Sequence, residues 1–217
     1  MKTLVEAHQE FSLEKAIQDH LVGTPQAINA YVECCARYLG QHKTALIWEG
    51  KQGESERWSF EQLNEASGKL ANYFLQSGIQ AGDCIAGLLP RTPELLITVL
   101  ATWRIGAIYQ PLFTAFESKA IEHRIEVAKT KLIVTNSEQR SKLNHIHIAQ
   151  ILTVHHDKHS LKTDADFWQE LNTKDAECPA VMRHFDDDFL MMFTSGTTGL
   201  AKSVPVPLRA ILAFKGY

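Results

Sequence analysis

The stretch Phe189-Leu190-Met191-Met192-Phe193-Thr194-Ser195-Gly196-Thr197-Thr198-Gly199-Leu200-Ala201-Lys202-Ser203-Val204-Pro205-Val206-Pro207 decides how this chain is to be read. Its first five residues form an apolar run of the kind expected in a covered strand. The next nine, Thr194 to Lys202, hold four hydroxyls, two glycines and one lysine. A phosphate chain calls for these groups. Gly196 and Gly199 let the backbone approach closely and take positive φ. Successive N–H groups in such a turn form an anion nest. Thr194, Ser195, Thr197 and Thr198 can donate charge-assisted hydrogen bonds to phosphoryl oxygens, and Lys202 adds a compact positive charge.

Two phosphate loops fit this composition. A Walker A loop, GxxxxGK[ST], matches Gly196 to Ser203 except that Ala201 stands for the second glycine. That loop must open directly into a helix. Here Pro205 and Pro207 push the residues before them into extended geometry, so a strand or extended arm is expected after Lys202. The reading adopted is therefore strand, hairpin-like polar loop, extended arm.

Outward from this point the chain alternates helices with short apolar runs. Strands are expected at 44–48 and 55–58 around a polar turn. Ser59 and Gln62 have capping-box spacing before a helix whose apolar face is Phe60, Leu63, Leu70 and Phe74, with Gly78 as its stop. Residues 83–89 read as a doubly covered strand. Thr92 and Pro93 start a second helix, which Gly106 ends. A short strand at 107–109, a helix at 118–129, strands at 132–135 and 151–154 and a helix at 164–171 follow. Another helix is expected at 27–39, and 172–188 reads as a surface connection. The alternation predicts an α/β fold with a mostly parallel sheet flanked by helices.

The 217 residues carry a net charge of −3 with 45% hydrophobic and 22% charged residues. These values exclude disordered and collagen-like classes and give no support for nucleic-acid binding. Cys34, Cys35, Cys84 and Cys178 form no CxxC pair, so neither a zinc site nor a disulfide framework is implied, and a reducing, cytoplasmic location is expected. Arg104 interrupts the most apolar stretch, 95–113, which reads as a buried helix and strand rather than a membrane span. His145, His147, His155, His156 and His159 read as surface histidines, and Asp186-Asp187-Asp188 as a solvated turn rather than a Mg²⁺ site. Arg104 and Arg124 are candidates for pairing with acids on their own helices. Phe113 reads as a core residue first and a cofactor contact second.

The loop resembles the phosphate-binding loop of the adenylate-forming superfamily, whose members include acyl- and acetyl-CoA synthetases. That pattern is an aromatic residue followed by T-S-G-[ST]-T-G-x-P-K-G, with Ala201 and Ser203 departing here. Trp58 to Leu63, Gly82 to Ala86, Leu89 to Glu94 and Trp103 to Ala107 resemble further segments of the same superfamily, so that the likeness is clearest over 55–217. Phe113-Thr114-Ala115-Phe116 resembles its F-G-G-F segment, which lies against the CoA nucleotide. Arg140 falls near where some synthetases set an arginine on a CoA phosphate.

This resemblance implies a fold that is an incomplete N-terminal part of the adenylate-forming large domain. It implies ATP, Mg²⁺ and CoA as cofactors or co-substrates and a small carboxylic acid as substrate. Thr194, Ser195, Gly196, Thr197, Thr198, Gly199 and Lys202 would hold the ATP phosphates, and Phe113, Thr114 and Ala115 would face CoA. No catalytic residue or metal ligand is implied among these residues. The superfamily's ribose-binding motifs, Mg-coordinating glutamate, hinge and C-terminal lid lie downstream of Tyr217. A fragment without complete ligase activity is thus the expectation. The alternative is a non-catalytic remnant with weak nucleotide or anion binding.

Overall fold

A computed structural model describes residues 11–148, 150–155, 164–194 and 199–215. The first helix, α1 (Leu13–His20), is capped by Ser12 and buries no residue fully. Strands β1 (Thr44–Glu49) and β2 (Ser55–Ser59) form a separate antiparallel pair. Helix α3 (Phe60–Gln76) then begins as its spacing predicts. Ser59 Oγ accepts from the Gln62 N–H at 3.2 Å, and Gln62 Oε1 accepts from the Ser59 N–H at 2.8 Å. At its other end Gly78 sits at φ 82°, and the Gly78 and Ile79 N–H groups bond back to the Leu75 and Phe74 carbonyls. That pattern satisfies carbonyls the helix leaves open, and it needs the left-handed conformation glycine adopts freely.

The main sheet has the order β7-β6-β5-β3-β4-β8-β9 among the described residues. It comprises β3 (Cys84–Leu88), β4 (Ile108–Pro111), β5 (Thr130–Asn136), β6 (Gln150–Val154), β7 (Ala165–Asp166), β8 (Asp188–Thr194) and β9 (Lys202–Pro207). Every pairing is parallel except β8 with β9. The central strand β3 is buried throughout, and its side chains alternate between two apolar layers. Ile85 and Leu89 join a core with α3 and α4 (Pro93–Arg104) that includes Phe74, Ile97 and Leu132. Ala86 and Leu88 join the opposite core with Ile121 and Ile125 of α5 (Ser118–Ala128) and Ile133. Gly87 admits Tyr109 from the neighbouring strand, since a Cβ there would sit 2.3 Å from the tyrosine hydroxyl. The α/β reading with a mostly parallel, helix-flanked sheet thus holds. No helix among the described residues is long and apolar enough to cross a membrane.

Several local expectations are corrected. The helix expected over 27–39 is only α2 (Ala30–Cys34), followed by a short 3-10 turn at Ala36–Tyr38. Asn29 explains its start. Its Oδ1 accepts from the Tyr31 and Val32 N–H groups, while its Nδ2 donates to the Trp103 and Val181 carbonyls, both at 2.8 Å. Ile28 is drawn into an extended bridge with Arg183. The helix expected from 164 starts later, as α7 (Phe167–Asn172), because Ala165 and Asp166 pair with β6. Thr92 stands at the start of α4, but its hydroxyl makes no capping bond. Beyond Asn172, where α7 ends, the 172–188 connection forms no helix or named strand before Asp188, yet it is built into the fold. Cys178 and Phe185 are buried, and Asn72 Nδ2 donates to the Asp175 and Glu177 carbonyls. Arg104 pairs with no acid on its own helix. It donates to the Cys178 and Asn64 carbonyls and lies over the Tyr31 ring at 4.6 Å.

Two short α-helices and a 3-10 turn at Ser141–Leu143 complete the described residues. The helices are α6 (Ser137–Arg140), capped by the Asn136 side chain, and α8 (Ala210–Lys215), whose Lys215 reaches the buried Glu33 carboxylate at 2.9 Å.

Candidate functional site: the β8–β9 hairpin

The polar loop singled out in the sequence joins two antiparallel strands. Thr194 faces Lys202, Phe193 faces Ser203 and Met192 faces Val204 across the hairpin. Lys202 therefore opens a strand and not a helix, which removes the Walker A alternative. Ser195, Gly196, Thr197 and Thr198 lie outside the described residues. Of the other predicted loop residues, Thr194 and Lys202 are exposed, and Gly199 has φ 96°, the positive region for which glycine suits the loop. Pro205 and Pro207 lack N–H donors, as suits the strand that ends the sheet on this side.

Parallel pairing decides where this loop sits. Strand β8 runs parallel to β4, so the loop after β8 emerges at the same edge as the loops after β3 and β4. That carboxyl edge is where open α/β sheets bind ligands. Phe113, Thr114 and Ala115 follow β4 after the buried Leu112 and share the edge. Phe113 is 63% exposed, which overturns its reading as a core residue. Its ring meets that of Phe116 edge-on at 5.3 Å, and Lys142 donates to the Thr114 carbonyl.

Helix α5 lies beside the hairpin. His123 Nε2 is 2.9 Å from the Ala201 carbonyl, which can only accept, so the ring donates from that nitrogen. Arg124 carries its guanidinium 4.1 Å from the Phe116 ring centroid and 5.6 Å from that of Phe193. Its Nη1 donates to the Ala120 carbonyl at 2.7 Å, and no ion pair forms at this residue among the described ones, contrary to the expected pairing with an acid of its helix. Burial lowers its pKa from the ordinary arginine value. Neither residue is a site candidate from the sequence, since the contacts that bring them to the hairpin, at Phe193 and Ala201, lie far along the chain.

The remaining candidates fall elsewhere. Asp186 pairs with Arg209, and Asp187 with Arg183 at 3.0 Å. Asp188 opens β8, so the aspartate run lies at the opposite end of that strand from the loop. Burial, followed by the neighbouring Asp187 charge, raises the Asp188 pKa. Arg140 is 2% exposed and ion-paired with Asp164, so it offers no free guanidinium to a phosphate. His156 and His159 lie outside the described residues. Among those described, no group of three or more His, Cys, Asp or Glu side chains is arranged to hold a metal ion.

Known proteins share this fold. The family described as AMP-binding enzyme matches residues 34–217. The chain is 30% identical over 202 residues to the acetyl-coenzyme A synthetase of Bartonella quintana, covering 81% of this chain and 31% of that protein. It is 31% identical over 198 residues to the acetyl-coenzyme A synthetase of Methylocella silvestris, with coverage of 81% and 31%. Among solved structures, an acyl-CoA synthetase from Brucella canis superposes with a TM-score of 0.93 at 45% identity, covering 99% of this chain and 40% of that one. An anthranilate CoA ligase in complex with anthranoyl-AMP has a TM-score of 0.77 at 19% identity over 86% of this chain and 36% of its own, a likeness of fold alone. The chain thus spans about a third of the length of the curated relatives it matches, 31% of each named above.

Proposed function

This chain belongs to the AMP-binding enzyme family, and from that premise we propose that its β8–β9 hairpin is the ATP phosphate-binding loop of an AMP-forming, acyl-CoA synthetase-like ligase. In the reaction proposed for the whole protein, a carboxylate oxygen attacks the α-phosphorus of ATP. The bond to the bridging oxygen breaks, and pyrophosphate leaves with the electron pair. The CoA sulfur then attacks the acyl carbon and displaces AMP.

The loop's task is to hold the β- and γ-phosphates while charge builds on the leaving pyrophosphate, which is positioning plus electrostatic stabilisation. Thr194, Ser195, Thr197 and Thr198 donate to phosphate oxygens, Gly196 and Gly199 let the backbone close in, and Lys202 offsets negative charge. The hydroxyls and the Lys202 ammonium suit phosphate oxygens, and Mg²⁺ would enter bound to the ATP. Phe113, Thr114 and Ala115, at the same sheet edge, are the proposed CoA-facing segment.

The observation that carries this reading is the pairing of Thr194 with Lys202, which brings the two ends of the loop together at the carboxyl edge of the sheet. Lys202→Ala is expected to weaken MgATP binding about tenfold, within the range for a charge-assisted contact on an exposed lysine. Titration calorimetry on both chains reads this directly, and equal affinities contradict the role. The 217 residues span 31% of an acetyl-coenzyme A synthetase, which supports binding without turnover by this chain alone. Acyl-adenylate formed by the isolated chain would refute that. The same coverage admits a non-catalytic remnant with weak nucleotide affinity. An in-frame continuation of the coding sequence past Tyr217 favours the ligase, and a stop codon favours the remnant.

A further inference from the structure

We propose that Arg124, assisted by His123, is a positioning residue that clamps the base of the β8–β9 hairpin and couples it to the Phe113–Phe116 turn; this rests on the phosphate-loop reading above. Two consecutive residues of α5 reach the two arms of one hairpin. His123 bonds the Ala201 carbonyl, one residue before β9 begins. Arg124 faces Phe193, the penultimate residue of β8. The hairpin has little other support on its outer side, since β9 ends the sheet among the described residues. Among the described residues these two contacts tie the ends of the hairpin to α5.

Arg124 is itself well anchored. Gln110 Nε2 donates to its carbonyl at 3.0 Å, and Gln110 is fully buried on β4. The guanidinium Nη1 is held by the Ala120 carbonyl, while its Nε is buried with no hydrogen-bond partner. No acid pairs with the guanidinium among the described residues, and two aromatic rings lie within about 6 Å of it. Those rings belong to the two segments of the candidate site. Phe193 leads into the phosphate loop, and Phe116 packs on the exposed Phe113. A shift of the hairpin on binding phosphate thus passes through one planar cation to the turn after β4.

The test uses the ¹⁵N-labelled 217-residue chain titrated with inorganic tripolyphosphate. In the unaltered chain the ligand moves the amides of Thr194, Gly199 and Lys202, and also those of Thr114 and Phe116. Arg124→Met is expected to bind about tenfold more weakly, whereas Arg124→Lys, which keeps a cation between the rings, stays within about threefold. In Arg124→Met the Thr114 and Phe116 response disappears while the β3 and β5 amides keep their positions, a signature that simple loss of stability does not produce. Should Arg124→Met fail to fold, His123→Ala carries the test, with about threefold weaker binding expected from one lost hydrogen bond. Unchanged affinity in the folded variants, or a Thr114 and Phe116 response that persists in Arg124→Met, overturns the clamp and leaves the phosphate loop standing. No binding by the unaltered chain overturns the phosphate-loop reading and the clamp with it.

Discussion

Replacing Asp164 with alanine is expected to destabilise the chain by about 3–5 kcal/mol, a large share of the stability of an ordinary domain. Asp164 and Arg140 have side chains only 3% exposed each, and the guanidinium meets the carboxylate through both Nε and Nη2. The Thr153 hydroxyl donates to the same carboxylate at 3.2 Å. Removing the acid leaves a buried guanidinium whose remaining side-chain partner among the described residues is Asn144. The cost arises from that stranded charge more than from the lost attraction. The double replacement Arg140→Leu/Asp164→Leu is therefore expected to lose clearly less than Asp164→Ala. Urea unfolding of the three chains reads the difference. A single variant within about 1 kcal/mol of the parent would contradict the account of a buried, mutually dependent pair. The pair also bears on function, because any role for Arg140 toward a CoA phosphate requires it to open.

Alkaline pH should have an effect of similar size. Burial pushes the thiols of Cys35 and Cys84 from 9.0 up to about 12, and the Tyr31 hydroxyl from 10.0 up to about 12. Between pH 9 and 12 the unfolded chain releases these thiol protons while the folded chain keeps them. The folded state then binds more protons, so stability falls as pH rises, by about 1.4 kcal/mol per pH unit for each group. Near pH 10.5 the two thiols together should cost about 4 kcal/mol relative to neutral pH, and Tyr31 adds to the loss above its unfolded value. Urea midpoints at several pH values test this. Cys84→Ala should make the decline shallower. Stability that is level from pH 8 to 10.5 would show that these groups are not held protonated by burial.

What could be read from sequence was local, periodic or composed of small residues in a fixed order. The capping box of Ser59 and Gln62, the stop at Gly78 and the fully apolar β3 each depend on neighbours a few residues away. The extended arm after Lys202 followed from two prolines, and it alone separated a hairpin from a Walker A loop. The failures share a different cause. Asn29 ends the preceding extended segment through carbonyls at Trp103 and Val181, which no pattern within α2 foreshadows. Arg104 finds Cys178 and Asn64, and Arg124 finds two rings, where i,i+4 reasoning suggested acids. Phe113 is exposed because it follows β4 onto the sheet edge, a position that strand order reveals and hydrophobicity does not. The loop residues proposed for the site could thus be named from the sequence, whereas the contacts of the helix beside them, at Phe193 and Ala201, could not.

The measurement that bears most directly on the account is the amide map of the ¹⁵N-labelled chain with MgATP. A phosphate loop predicts saturable changes at Thr194, Gly199 and Lys202, lost in Lys202→Ala, with the β1–β2 hairpin and α7 undisturbed. Changes centred on any other part of the sheet, or none at the hairpin at saturating MgATP, would contradict the assignment of this loop to the ATP phosphates.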